Sequence, residues 1–214
     1  MGGLVIGSDD GMGLTGARRP LRVLGIGGSM RLGSKSLGAL ESALALAREA
    51  GAETTLASVR DLALPVYDPT IGLDGQPESL RWLVDQVRAA DAYVLASPTY
   101  HGTVSGAVKN VLDALNVLAR DTPRYLGGKP VGLVALGGPS AMNTLNALGH
   151  ATRGMNGLTT TTVVTVPASA VDEDTGTLTD DAVRDRLTLM IDDLLLLGMA
   201  LRERTAVAAL AGTR

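Results

Sequence analysis

The stretch GIGGSMRLGSKS, Gly25 to Ser36, sets glycines, hydroxyls and one arginine between an apolar run and a segment of helical period. A loop of that kind at the start of a helix can hold a phosphate, because backbone N–H groups and the helix dipole both favour an anion there. The spacing excludes two common versions. A dinucleotide loop needs G-x-G-x-x-G, and counting from Gly25 and Gly27 the third position is Met30. A nucleoside-triphosphate loop needs G-x-x-x-x-G-K-[ST]. Gly28 and Gly33 have that separation, but Ser34 stands in the lysine position and Lys35 is rotated about 100° around the helix. What remains is Ser29, Arg31, Ser34 and Ser36, a set suited to one compact terminal phosphate. The alternative is an ordinary strand-to-helix turn built from small residues.

Around that loop, short apolar runs alternate with helical segments, the pattern of a parallel α/β sheet covered on both faces. The runs LRVLGI, ETTLASV, AYVLAS, PVGLVAL and LTTTTVVTV predict five strands. Helices are expected over 36–50, 78–90, 107–120, 144–153 and 179–204, with Gly51 closing the first. Ligands of such folds bind outside the carboxyl ends of the strands. Three loops of unusual composition fall there, Gly27 to Ser36, Ser97 to Gly106 and Gly137 to Asn143, so one ligand is expected to touch all three.

Composition narrows the chemistry. The chain has 214 residues, a net charge of −3, no cysteine and two histidines. One domain is expected over 21–214, preceded by a flexible glycine-rich extension over 1–20. Disulfides and cysteine nucleophiles are ruled out, and neither a histidine metal cluster nor a nucleic-acid partner is expected. No apolar run reaches the roughly 18 residues of a bilayer span and no secretory signal opens the chain, so a soluble cytoplasmic protein is predicted.

The segment SPTYHGTVSGAVKNVLDAL, Ser97 to Leu115, carries Ser-Pro-x-Tyr, a glycine, and a Gly-Ala-x-Lys-Asn helix start. With Ser29-x-Arg31-x-x-Ser34 and LPVYD it resembles the NADPH-dependent FMN reductase family, from Leu21 to about Pro167. The resemblance implies a flavodoxin-like three-layer fold with strand order 2-1-3-4-5, bound FMN, NADPH or NADH as donor, and a homodimer or homotetramer. It also implies residue roles. Ser29, Arg31, Ser34 and Ser36 hold the flavin phosphate, while Pro98, Thr99, Tyr100, His101 and Gly102 border the isoalloxazine and Gly138 and Ser140 close its other side. Ser36 stands where many relatives have asparagine, and GGPSAMN departs from the family's serine- and glycine-rich third loop.

Read without the family, Pro98 holds Ser97 extended and ends the third strand in a rigid arch, with Tyr100 as a flat wall or a partly buried core tyrosine. His101 reads as an exposed loop residue, Lys109 and Asp113 as a solvated pair one helical turn apart. Arg120, Arg124 and Arg153 are candidates for a 2′-phosphate of the donor. The expected activity is hydride transfer from a reduced nicotinamide to FMN, with no catalytic side chain and no metal, since the cofactors carry that chemistry. The reduced flavin would pass to a partner monooxygenase. A quinone, azo or nitro reductase with tightly bound FMN is the nearest alternative, and a flavodoxin-type electron carrier is the alternative of another class. The apolar band Val108, Val111, Leu112, Leu115 and Leu118, with LLLLGMAL near the C-terminus, predicts association of chains.

Overall fold

The computed structural model describes residues 19–211, so positions 1–18 of the expected extension lie outside the described residues. Five strands form the main path of a sheet. In spatial order they are β2 (Glu53–Ser58), β1 (Arg22–Gly27), β3 (Ala92–Tyr100), β5 (Pro130–Leu136) and β6 (Leu158–Thr159), all parallel. Two further strands lie off this path: β4 (Thr103–Val104) pairs antiparallel with β3, and β7 (Val164–Val166) pairs parallel with β5. This is the flavodoxin-like order.

Alternation along the strands sends side chains to two cores. Leu24, Ile26, Tyr93, Leu95 and Leu133 pack with α3 (Glu78–Ala89), α4 (Gly106–Ala114) and α5 (Ala141–Gly154). Val23, Ala92, Val94 and Val134 pack on the other face with α1 (Lys35–Glu49) and α6 (Asp181–Ala211). Each large aliphatic side chain so buried contributes about 1.5–3 kcal/mol. Helix α1 lies close to the sheet because its inward row is Ala39, Ala43 and Ala47, all fully buried. Beneath it Gly25 leaves room for Leu44, whose Cδ1 would sit 2.7 Å from an added Cβ.

Three expectations need correction. The fifth predicted strand is split into β6 and β7, because the Thr160 hydroxyl donates to the Thr162 carbonyl at 2.8 Å and draws the threonine run off the ladder. The helix expected over 107–120 is α-helical only to Ala114 and continues as a 3₁₀ segment, Leu115–Arg120. Pro98 does not end its strand: β3 runs on to Tyr100 and reverses through His101 and Gly102, at φ 52° and 78°, into β4. Two consecutive positive φ values make the tight turn that matches strand twist.

A short helix, α2 (Val59–Leu62), follows β2, and a long connection from Pro167 to Asp180 leads from β7 to α6. None of the described helices is long and apolar enough to cross a membrane.

Candidate functional site

The loops after β1, β3 and β5 meet at one edge because their strands are adjacent and in register. Gly27 pairs with Ala96 and Pro98 with Leu136. The approach at Gly27 is close: an added Cβ would lie 2.1 Å from the Ala96 carbonyl oxygen, and the next residue, Gly28, donates its N–H to that oxygen at 3.2 Å. Only glycine lets the first loop leave the sheet this near β3.

The first loop gathers three of the expected serines. The Ser29 hydroxyl donates to Ser34 Oγ at 2.8 Å, Ser34 and Ser36 Oγ are 3.0 Å apart, and all three residues are buried. Ser34 is also the N-cap of α1, accepting from the Leu37 N–H at 3.3 Å. A linked row of hydroxyls therefore sits at a helix N-terminus, where the partial positive charge of the unpaired N–H groups is largest. The Arg31 N–H donates to Ser29 Oγ at 3.3 Å, but the Arg31 side chain stands apart from that row. Its guanidinium is exposed and bonds Glu173 at 2.9 Å.

Glu173 reaches the loop by way of a turn that no sequence pattern announced. The Asp172 carboxylate accepts from the Asp174 N–H, the Thr175 N–H and the Thr175 hydroxyl, and the bonds from Thr175 hold its pKa below the usual carboxylate range. The turn lies flat on α1. An added Cβ at Gly38 would fall 2.0 Å from the Gly176 carbonyl oxygen, which accounts for a glycine within the first turns of that helix. Lys35 ties the same connection down by donating to the Ala168 carbonyl at 3.0 Å. On the other flank, the Arg60 guanidinium from α2 donates to the Met30 carbonyl. Neither Glu173 nor Arg60 stood out in the sequence, because 142 and 30 residues separate them from their partners.

The second loop is built on a buried serine. Ser97 Oγ accepts from the Ser105 N–H at 3.0 Å and donates to the Pro98 carbonyl at 2.8 Å, holding the β3–β4 hairpin upright. Ser105 then caps α4 by accepting from the Val108 N–H. Tyr100, His101 and Gly102 form the tip. Tyr100 is half exposed and is therefore not a core tyrosine. Asn110, one turn into α4, clamps the LPVYD segment by accepting from the Tyr67 N–H at 2.9 Å and donating to the Pro65 carbonyl at 2.8 Å. Lys109 and Asp113 pair at 2.7 Å on the exposed face, as their spacing predicts.

The third loop packs against the second. Thr99 Oγ1 lies 2.9 Å from Thr144 Oγ1, and an added Cβ at Gly137 would come within 2.8 Å of the Thr99 side chain. Gly138 and Ser140 lie at the surface of this loop, and Ser140 makes no side-chain cap bond at the start of α5. The helix expected from 144 starts at Ala141, so the third loop is shorter than its expected span to Asn143. Met142, in the first turn of α5, adds exposed apolar surface beside Met30, Leu32 and Tyr100. Arg120 and Arg153 are placed elsewhere. Their helical segments begin at this edge and run away from it, which leaves both arginines at the far end of the sheet. Arg124 lies in the connection that leads into β5, also away from the three loops.

The edge thus offers hydroxyls, backbone donors and an apolar rim. Comparison with known proteins matches residues 21–173 to the NADPH-dependent FMN reductase family. The chain is 32% identical over 114 residues to an NAD(P)H-dependent FMN reductase of Pseudomonas aeruginosa, which covers 53% of this chain and 58% of that protein. It is also 32% identical over 129 residues to an FMN-dependent NADPH-azoreductase of Staphylococcus haemolyticus, covering 58% and 65%. The chain therefore spans less than two thirds of the length of these relatives. Among solved structures, the flavoenzyme NAD(P)H:(acceptor) oxidoreductase of Paracoccus denitrificans superposes with a TM-score of 0.67 at 20% identity, over 84% of this chain and 98% of that one, a likeness of fold.

Proposed function

The chain belongs to the NADPH-dependent FMN reductase family, and from that premise we propose that it is an NAD(P)H-dependent flavin reductase whose FMN binds across the three loops at the carboxyl edge. The observation that carries this reading is the linked row of Ser29, Ser34 and Ser36 at the N-terminus of α1. Those hydroxyls and the adjoining N–H groups fit a phosphate dianion, with Arg31 adding a charged donor once it turns from Glu173. The hairpin tip from Pro98 to Gly102 and the Gly138–Ser140 turn would border the flavin ring from two sides.

When bound, the flavin supplies the two-electron chemistry, accepting hydride from a reduced nicotinamide and passing it to an acceptor. The protein's part is to orient and to exclude water. Thr99, locked to Thr144, fixes the distance between the second and third loops, while Ser97 and Ser105 keep the hairpin from collapsing. The exposed apolar rim of Met30, Leu32, Tyr100 and Met142 favours a flat acceptor that stacks, a second flavin or a quinone or azo compound, over a docked electron-transfer protein.

A homodimer or homotetramer, and transfer of reduced flavin to a partner monooxygenase, extend the same reading. The apolar band of α4 and its 3₁₀ continuation is buried within this chain, so association would rest on α6, where Leu189, Leu196, Leu197 and Met199 are exposed. Light scattering at micromolar concentration tests that, and a monomer removes it.

The function itself is tested by the absorbance spectrum of the purified protein and by anaerobic NADPH titration with and without added FMN. Flavin reduction that needs the protein supports the reading. Donor and acceptor sharing one face would give parallel double-reciprocal plots, and intersecting lines would place the acceptor in a separate pocket.

A further inference from the structure

The amino ends of β1, β3 and β5, opposite the three loops, border a cavity of about 720 Å³ between the loop Asp121–Lys129 and α6. That volume falls within the range of small-molecule sites. Its lining is strongly cationic: Arg19, Arg88, Lys129, Arg202 and Arg204 face two carboxylates, Asp91 and Asp121.

Both carboxylates are already engaged. Asp91 takes two bonds from Arg19, at 2.6 and 2.9 Å, and one from the Arg22 N–H at 2.9 Å. Asp121 takes Arg88 at 2.9 Å. Lys129 has no carboxylate within ion-pair distance among the described residues. Its ammonium donates to the Arg88 carbonyl at 3.3 Å and lies 5.9 Å from the centre of the Tyr93 ring. Arg202 donates to the Arg19 carbonyl at 2.9 Å and stands 3.9 Å from Asp91, which Arg19 already occupies. Burial pushes the Lys129 pKa down, and the nearby charge of Asp91 offsets this only in part. A partly desolvated cation without its own anion is costly, and a bound anion removes the cost.

The walls also have a shape. Gly127, Gly128 and Gly198 contribute to the lining, an added Cβ at Gly128 would meet nothing within 4 Å, and Pro123 and Tyr125 stand beside the charges. We propose that this cavity is a second ligand site, which takes a phosphorylated small molecule of about mononucleotide size with its phosphate on Lys129 and Arg202. A flavin or nicotinamide at the carboxyl edge lies at the other end of the strands, so the two sites are separate and this inference does not depend on the flavin reading.

Calorimetric titration of FMN-saturated protein with AMP, inorganic pyrophosphate and adenosine at low salt tests it. One AMP per chain is expected, with adenosine much weaker and AMP affinity falling as salt rises. Lys129→Gln and Arg202→Gln should each weaken AMP roughly ten- to a hundredfold and leave FMN affinity unchanged, while Lys129→Arg keeps binding. The proposal is overturned if neither AMP nor pyrophosphate binds, or if both glutamine variants bind AMP as tightly as the unaltered protein does. Should Lys129→Gln not fold, Arg202→Gln and Lys129→Arg decide. If the protein takes up no FMN, the flavin reading fails alone, and the same titration on the unliganded protein still tests the cavity.

Discussion

At the carboxyl ends of β1, β3 and β5 the chain presents serines, glycines and backbone N–H groups. At the amino ends of the same strands it presents Arg19, Asp91, Lys129 and Arg202. The carboxyl edge is held by close approach of backbone, as at Gly27 against Ala96 and Gly38 against Gly176. Ion pairs across long sequence separations hold the amino edge, as Arg19 and Asp91 do across 72 residues. The charges of the carboxyl edge lie at its exposed rim, as in the Arg31–Glu173 pair, whereas those of the amino edge include the largely buried Asp91, which must be satisfied within the fold. Substitutions of the glycines at the first should act through shape, those of its rim charges through ligand affinity, and those at the second through stability and pH.

The largest effect is expected where shape is tightest. Gly27→Ala puts a methyl group 2.1 Å from the Ala96 carbonyl oxygen, and neither backbone can retreat without breaking the β1–β3 ladder. A loss of about 3 kcal/mol is expected, read as a fall in thermal midpoint together with loss of FMN binding. A variant of unchanged stability would mean that the first loop does not leave the sheet by this close approach.

Next comes Arg31→Ala. Loss of one charge-assisted contact should weaken FMN by about 1.5–3 kcal/mol, roughly ten- to a hundredfold. Riboflavin, which lacks the phosphate, should bind as before. Equal losses for both ligands would show that the loop does not receive a phosphate.

Why some of this was legible in the sequence follows from the range of each interaction. The strands and the meeting of the three loops rest on local apolar periodicity, whereas the strand order comes only with the family resemblance and the Ser34 cap is not read at all. Pro98 misled because local geometry favours a break after Ser97, whereas pairing with β5 and the His101–Gly102 turn carries the strand onward. The threonine run from Thr159 to Thr162 has high strand propensity, yet its hydroxyls compete with the ladder. Glu173, Arg60 and the Arg19–Asp91 pair leave no local mark, since each is defined by a partner far along the chain.

Charge at the amino edge gives a pH effect of known sign. Asp91 is largely buried, which by itself would raise its pKa, but bonds from Arg19 and the Arg22 N–H, with the charges of Arg19 and Arg202, hold it below the usual value. A carboxylate depressed in the folded state stabilises the fold above its unfolded pKa, about 3.9, and that contribution is lost as pH falls through the folded value. Asp91→Asn should therefore cost about 1.5 kcal/mol near neutrality, with a deficit that shrinks below about pH 4. Urea denaturation at neutral and acid pH reads it out. A deficit that stays constant with pH would mean that Asp91 acts through packing rather than charge.

The smallest expected effect returns to the carboxyl edge and asks whether it too contains a charge that matters. Glu173 and Arg31 are both mostly exposed, at 65% and 66% of their side-chain surface, so their pair contributes at most about 1 kcal/mol. If the phosphate row accepts a dianion, Glu173 competes for the guanidinium and adds an unfavourable charge nearby. Glu173→Gln should then tighten FMN by up to about fivefold, with riboflavin unchanged and the gain fading as salt screens the exposed charges. Weaker FMN binding in this variant would assign Glu173 the opposite role, a support that aims Arg31 at the phosphate, and the carboxyl edge would then depend on an ion pair as the amino edge does.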